Sequence, residues 1–272
     1  MPRPERLRGP AVAQPAEIDR INRVFSEAFT DRYQRDGMSG VRVPLLNPVI
    51  WRFALAAAGD GALVWHDPAG EIVAFNLVHH SGSEGWMGPL AVRPGRQGEG
   101  IGALIVRAGI ARLEATGARV IGIETMPRTV DNIGFYSRLG FRPEHLTVSL
   151  ARELSGGREA AVELLSRESA DAGFKLCRSL TDSLIPGVDF SREIALTLER
   201  RLGDVTLVRE RGALTAFALW HSAPLAEGRA PDELRVLKLA AKDLGAFRRL
   251  LQALEASALH ARGRRIAIRC QT

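Results

Sequence analysis

The residues of this chain whose types and spacing could do chemistry run from 87 to 103 and read MGPLAVRPGRQGEGIGA. A short apolar stretch ending at Val92 passes through Pro94 into a loop with glycines at 95, 98, 100 and 102, and an unbroken helix-forming run follows. Glycines at such a junction let the backbone approach a ligand closely, and the first turn of the helix presents N–H groups without partners at its positive dipole end. Together these form an anion site, most simply one for a phosphate or pyrophosphate. The expectation is a phosphorylated cofactor.

Three phosphate-loop patterns compete. A P-loop needs Lys followed by Ser or Thr after its last glycine, and Ala103-Leu104 follows here, which removes it. A dinucleotide loop of the form GxGxxA fits Gly98-Glu99-Gly100-Ile101-Gly102-Ala103, with Glu124 placed as the ribose-binding acid. Against it, residues 93–97 separate strand from glycines, and Pro94 cannot continue a central strand. The third pattern, Gln/Arg-x-x-Gly-x-Gly/Ala, is met by Gln97, Gly100 and Gly102; in that loop the amides between strand and helix hold the pyrophosphate of coenzyme A.

Residues 119–125, RVIGIET, then read as a strand, and 131–143, DNIGFYSRLGFRP, as a short helix and turn with Tyr136 just ahead of Leu139-Gly140-Phe141. Loop and tyrosine motif, in this order, resemble the GNAT superfamily of acyl-CoA-dependent N-acyltransferases over about residues 16–150. A family Asn commonly stands seven residues before the Tyr; this chain has Thr129 there, and Asn132 lies four before it. The resemblance implies a mixed sheet whose strands through Leu90-Ala91-Val92 and Ile121-Gly122-Ile123 splay apart. The first strand's backbone would pair with the pantetheine arm, and the amides of 97–103 (Gln97, Gly98, Glu99, Gly100, Ile101, Gly102, Ala103) would take the pyrophosphate. Arg96 and Gln97 would reinforce it, with Asn132 and Tyr136 as further cofactor contacts.

The reaction implied is transfer of an acyl group, acetyl in the first instance, from acetyl-CoA to an amine by direct attack in a ternary complex, since no cysteine lies within the motifs. It needs a neutral amine, a polarised carbonyl and a proton for the departing thiolate. Tyr136 is the candidate general acid: a phenol near pKa 10 is protonated at pH 7 and can donate to a thiolate near 8.5. Its competing reading is a packing tyrosine beside Phe135 and Leu139. For the base, Glu124 shares a strand face with Gly122 and could line the cleft, or be a strand-end carboxylate facing solvent. Glu84 and one of His79 and His80 are further candidates. Trp51, Phe53 and Trp86 could line an aromatic acceptor pocket or sit in the core. The rival functions are an acyl-CoA-binding regulatory module without turnover and, more distantly, a dinucleotide-binding oxidoreductase. No cluster has metal-ligand spacing, and no Ser-His-Asp set is legible.

The elements that must position these groups read, in the first part of the chain, as helices 16–30 and 47–58, strands 61–66, 71–80 and 85–92, helix 100–116, strand 119–125, helix 131–139 and strand 143–151. Ile18, Ile21, Val24, Phe25 and Phe29 keep helical spacing; Asn47 before Pro48 reads as an N-cap; and Asp67-Pro-Ala-Gly70 reads as a hairpin turn. The pattern then recurs. Gly59-Asp60-Gly-Ala-Leu-Val64 returns as Gly203-Asp204-Val-Thr-Leu-Val208, Ala74-Phe75-Asn-Leu-Val-His79 as Ala216-Phe217-Ala-Leu-Trp-His221, and Gly117 to Glu124 as Gly263 to Arg269. Three ordered matches at similar offsets mean duplication.

The expected architecture is therefore α/β, of the α+β mixed-sheet kind, with two GNAT-like domains in tandem. Residues 1–153 would form the acetyl-CoA-binding domain. Residues 158–272 would form a degenerate copy without the loop or the tyrosine helix, built from helices 158–172 and 191–202, strands 204–209, 213–221 and 233–240, helix 243–262 and strand 265–270. The last strand would expose an edge unless covered, which suggests a homodimer or pairing within the chain.

The chain has 272 residues with 46% hydrophobic and 25% charged side chains, the composition of a globular protein. The first ten residues, MPRPERLRGP, do not read as a signal peptide, no apolar stretch is long enough to cross a bilayer, and two cysteines form no disulfide framework, so a cytoplasmic setting is expected. The net charge of +6 does not point to nucleic acid. Lysine occurs only at 175, 238 and 242, the arginines are interspersed with acids, and no basic block carries aromatics.

Overall fold

The structure is a computed structural model that describes residues 7–154, 161–167 and 170–271. The chain divides into two compact units, Met1–Glu144 and His145–Thr272.

In the first unit, helix α1 (Ile18–Arg35) follows a 3-10 turn and buries Ile18, Ile21, Val24 and Phe25 of the stripe its spacing predicts, with Ala28 beside them and Phe29 partly buried against the same core. Helix α2 (Pro48–Ala58) starts where the Asn47 side chain accepts from the Val49 N–H at 3.1 Å, with Pro48 at the first helical position. Strands β1 (Arg8–Val12), β2 (Ala62–His66), β3 (Ile72–Ser81), β4 (Glu84–Val92) and β5 (Val120–Ile123) form a sheet in that order. All its pairs are antiparallel except β4–β5. The near-continuous apolar run of β3 is buried on both faces: α1 and α2 cover Phe75 and Leu77, and helix α3 (Ile101–Ala115) covers Ala74 and Val78. Gly109 lets α3 lie close, since a Cβ there would come within 2.4 Å of the Met87 sulfur and 2.6 Å of Asn76 Nδ2. Helix α4 (Val130–Arg138) closes the unit.

The second unit repeats the plan. Helices α5 (Ala170–Leu184), α6 (Ser191–Glu199) and α7 (Leu244–His260) flank a sheet of β6 (Thr147–Glu153), β7 (Gly203–Glu210), β8 (Ala213–His221), β9 (Glu233–Ala241) and β10 (Arg265–Gln271), in the order β6-β10-β9-β8-β7. Here too one pair alone, β9–β10, is parallel. Each unit is thus an α+β fold with a five-stranded mixed sheet among the described residues.

Three elements differ from the sequence expectation. The strand assigned by pattern to the end of the first copy is β6, and it pairs antiparallel with β10 along its whole length, from Arg265↔Glu153 to Gln271↔Thr147. The edge that suggested a homodimer is therefore covered within the chain. The helix expected over 158–172 falls partly on 155–160 and 168–169, outside the described residues. Of the remainder, 161–167 runs beside β7, with Leu164 bridging Thr206 and the Leu207 N–H donating to Glu163 O at 2.9 Å. Its paired leucines enter the core from a 3-10 turn, and the amphipathic helix is α5, through Cys177, Leu180 and Thr181. Strand β1 went unrecognised because Gly9 and Pro10 disguise it; an edge strand with a single partner tolerates both.

Candidate functional site

Between β4 and α3 the backbone passes through a 3-10 turn at Pro94–Arg96, then Gly98 at φ +84° and Gly100 at φ +80°. Both glycines sit in left-handed conformations where a Cβ would be strained, although open space surrounds them. Gly100 occupies the N-cap of α3 and supplies no side-chain cap. The Leu104 N–H reaches Gly100 O at 3.2 Å, so helix geometry leaves the amides of Ile101, Gly102 and Ala103 as the outward donors. Arg96 and Gln97, which the sequence directs at an anion, turn onto the loop instead. Arg96 Nε donates to both carboxylate oxygens of Glu99, at 2.8 and 3.0 Å, and Gln97 Nε2 donates to Val92 O at 3.2 Å. Arg96 holds the Glu99 carboxyl below its usual range. These two side chains brace the loop.

Beside the loop the sheet opens. β5 pairs with β4 only from Glu84↔Val120 to Met87↔Ile123. Asn76 then pairs with Leu90 and Val78 with Met87, so Gly88 and Pro89 together oppose Leu77 in a bulge that turns the strand. Beyond it Leu90, Ala91 and Val92 pair with β3 alone, and their other edge faces the opening, with no strand against it among the described residues.

Helix α4 sits on the first turn of α3. A Cβ on Gly102 would meet the Phe135 ring at 3.3 Å, so this last loop glycine favours the close helix contact. Tyr136 packs edge-on against Phe135 and Phe141, at 5.1 and 6.1 Å between centroids, and burial pushes its phenol up to about 12. The packing reading describes this tyrosine, which is part of the apolar cluster beneath α3, and its hydroxyl is protonated throughout the neutral range. Asn132 Nδ2 donates to Thr125 Oγ1 at 3.3 Å and so closes the β5–α4 turn. Thr129, which stands in place of the family Asn, is buried and donates to Asp36 Oδ2 at 2.5 Å. Asp36 also takes Arg32, and Arg32 reaches Asp131 at 3.3 Å, so the end of α1 is latched to the start of α4. The Thr129 hydrogen bond, with Arg32 and Arg128 adding to it, holds the Asp36 carboxyl below its usual range. Nothing in the spacing announced this latch, because its partners are almost a hundred residues apart.

Of the candidate bases, Glu124, Glu84 and His79 share one face. His79 pairs with Trp86, Trp86 with Gly122, and Glu124 follows β5 on the same side as Gly122. A Cβ at Gly122 would strike the Trp86 ring at 2.6 Å, so this glycine lets the indole lie across β5. Trp86 Nε1 donates to Glu84 Oε2 at 3.3 Å, which brings Glu84 to the same face. His80 points the other way. Of the aromatic candidates, Trp51 is core, edge-on to Phe25 and Phe75. Trp86 is half-buried and remains beside the opening.

The second unit keeps the splay and loses the loop. β10 pairs with β9 only from Arg265↔Glu233 to Ala267↔Arg235. Lys242 and Asp243 alone then connect β9 to α7, and the Asp243 side chain accepts from the Ala246 N–H at 2.8 Å. The carboxylate of the chain itself fills the helix N-terminus. A cavity of ≈ 450 Å³, lined by Leu184, Ile185, Phe190, Leu239, Leu244 and Phe247 among others, lies beside this shortened connection.

A mixed sheet opened between two parallel strands, with a helix N-terminus at the mouth, defines each unit as a GNAT-like fold. The sequence profile of the Acetyltransferase (GNAT) family matches residues 20–141. Over 124 residues the chain is 29% identical to a mycothiol acetyltransferase of Actinosynnema mirum, a match that takes in 45% of this chain and 40% of that protein, so it spans less than half the length of this relative. A GCN5-related N-acetyltransferase from Sphaerobacter thermophilus superposes with a TM-score of 0.60 at 14% identity, covering 98% of this chain and 86% of that one. An N-myristoyltransferase of Saccharomyces cerevisiae with bound myristoyl-CoA gives a TM-score of 0.60 at 12% identity, over 97% of this chain and 76% of its own. These structural likenesses establish the fold. They also remove the dinucleotide reading, which requires a parallel sheet where these sheets are mainly antiparallel. Among the described residues no group of His, Cys, Asp and Glu could hold a metal ion, and no helix is long and apolar enough to cross a membrane.

Proposed function

We propose that the first unit transfers an acetyl group from acetyl-coenzyme A to an amine by direct attack in a ternary complex. The observation that carries this reading is the N-terminus of α3, left without a side-chain cap beside the open edge of β4. The residues present fit the coenzyme: two left-handed glycines keep side chains out of the loop, and the outward amides are the donors a pyrophosphate needs. Coenzyme A, when bound, supplies the acetyl group as a thioester activated for acyl transfer.

In this reading the amides of Ile101, Gly102 and Ala103, with the backbone of Gln97–Gly100, hold the pyrophosphate. Leu90, Ala91 and Val92 orient the pantetheine arm through their free backbone groups, and an amide of that edge polarises the acyl carbonyl. Tyr136 donates its hydroxyl hydrogen to the departing thiolate. With the phenol near 12 and a thiol near 8.5, complete proton transfer runs uphill by about 5 kcal/mol. The phenol therefore works as a fixed hydrogen-bond donor more than as a source of the proton, and Asn132 steadies the turn that carries it. On the opposite face Glu124, with Glu84 beside Trp86, is placed to keep the attacking amine neutral.

The test is release of coenzyme A thiol from acetyl-CoA across a panel of amines. The expected result is release that depends on one class of amine and falls in Tyr136→Phe. Binding of acetyl-CoA with no amine-dependent release would replace the enzyme by a coenzyme-binding module.

A further inference from the structure

We propose that Asn76 is a positioning residue, which holds α3 from within the sheet at the height its N-terminal amides need to meet the pyrophosphate. The inference rests on reading the first unit as the coenzyme-binding one. Asn76 lies in the middle of β3 with no exposed surface. Its Nδ2 donates to Ile105 O in the second turn of α3 at 3.0 Å, while its Oδ1 is buried without a partner. A half-satisfied amide is an unfavourable occupant of a core position, so the tie it makes has to serve something. Ile105 stands four residues after Ile101, about 6 Å along the helix axis from the first outward amide. The tie also needs Gly109, since a Cβ there would collide with Asn76 Nδ2. An asparagine in the strand and a glycine in the helix together set one close, polar contact near the business end of α3.

The second unit shows that the fold does not require it. By the repeat, Ala218 takes the place of Asn76, inside an apolar cluster with Leu250 and Leu254 of α7. There the buried polar tie between helix and sheet is at the far end of the helix, where Ser257 Oγ meets Thr206 Oγ1 at 2.6 Å and Trp220 Nε1 donates to the same hydroxyl at 2.9 Å. The buried polar contact between helix and sheet thus lies near the helix N-terminus in the unit with the glycine loop and near the C-terminus in the other, where, among the described residues, the early turns of α7 meet the sheet's polar groups only through the exposed Arg249–Glu210 pair.

The test compares Asn76→Ala, a substitution Ala218 shows the fold accepts, with Val78→Ala, which removes packing on the same face of β3 but no polar tie. Two readouts are taken: acetyl-CoA titration with steady-state kinetics, and amide hydrogen exchange along α3. Asn76→Ala is expected to bind acetyl-CoA about fivefold or more weakly, with kcat at saturation within about twofold, and to exchange the early α3 amides faster than those of β3. Val78→Ala is expected to lower the melting temperature and leave coenzyme affinity alone. If Asn76→Ala behaves as Val78→Ala does, the positioning role is overturned. If α3 loosens in Asn76→Ala but the wild-type chain takes up no acetyl-CoA, the coenzyme reading falls, and with it the purpose assigned to the tie.

Discussion

The N-termini of α3 and α7 begin from the same plan and end in opposite states. Each helix follows the strand at which its sheet splays, and each would present its first amides to an anion. In the first unit a glycine loop leads in, Gly100 contributes no side chain, and the amides face outward. In the second, Lys242 and Asp243 replace the loop, and Asp243 places its own carboxylate on the Ala246 amide. A capping carboxylate stabilises a helix end by about 1 kcal/mol and at the same time excludes a competing anion. The difference teaches that a helix end open to an anion is one from which a stabilising interaction is withheld, and that the proposed division of labour between the units rests on which helix end carries its own carboxylate.

The comparison can be broken at several points, the largest effect being in acid. His221, the repeat counterpart of His79, is buried with Nε2 at 2.9 Å from Thr197 Oγ1, and burial pushes its pKa down to about 3. The neutral ring is favoured in the folded state, so its contribution is complete above the unfolded pKa of 6.5 and is lost as pH falls from there toward 3. The second unit is expected to lose up to about 4 kcal/mol over that window. Calorimetric scans from neutral to about pH 4 should show it melting first, and His221→Gln should flatten the trend.

Next in size, Gly100→Asp writes the Asp243 solution into the first unit. A carboxylate at the helix end combined with a left-handed backbone should weaken acetyl-CoA binding by about a hundredfold or more while the chain stays folded. Unchanged affinity would mean that the anion does not sit at α3. Tyr136→Phe should slow turnover by about ten- to a hundredfold at little change in coenzyme affinity, which separates chemistry from binding. The smallest effect is expected from Asp243→Ala, a loss of about 1 kcal/mol from the second unit with coenzyme affinity untouched.

Most of this architecture was legible because its signals are local. The glycine spacing marked the β4–α3 junction, Asn47-Pro48 the start of α2, and Asp67-Pro-Ala-Gly70 the β2–β3 hairpin. The tyrosine motif carried the resemblance to the GNAT superfamily, and the repeated strand pairs the recurrence of one fold in both units. What escaped depends on long-range partners. The sheet that β6 joins is set by β10, more than a hundred residues further on. Arg96 and Glu99 look like an anion hook and its neighbour until the loop folds them together. Asn76 looks like a lapse in a core strand until Ile105 O is seen above it. The latch of Thr129, Asp36 and Arg32 has no linear signature at all.

The central claim is that one unit binds the coenzyme and its copy does not, and calorimetric titration of the whole chain with acetyl-CoA tests it most directly, with NAD and NADP as controls. The account predicts a single acetyl-CoA site per chain that disappears in Gly100→Asp. Two sites per chain, or a site that survives that substitution, would contradict it.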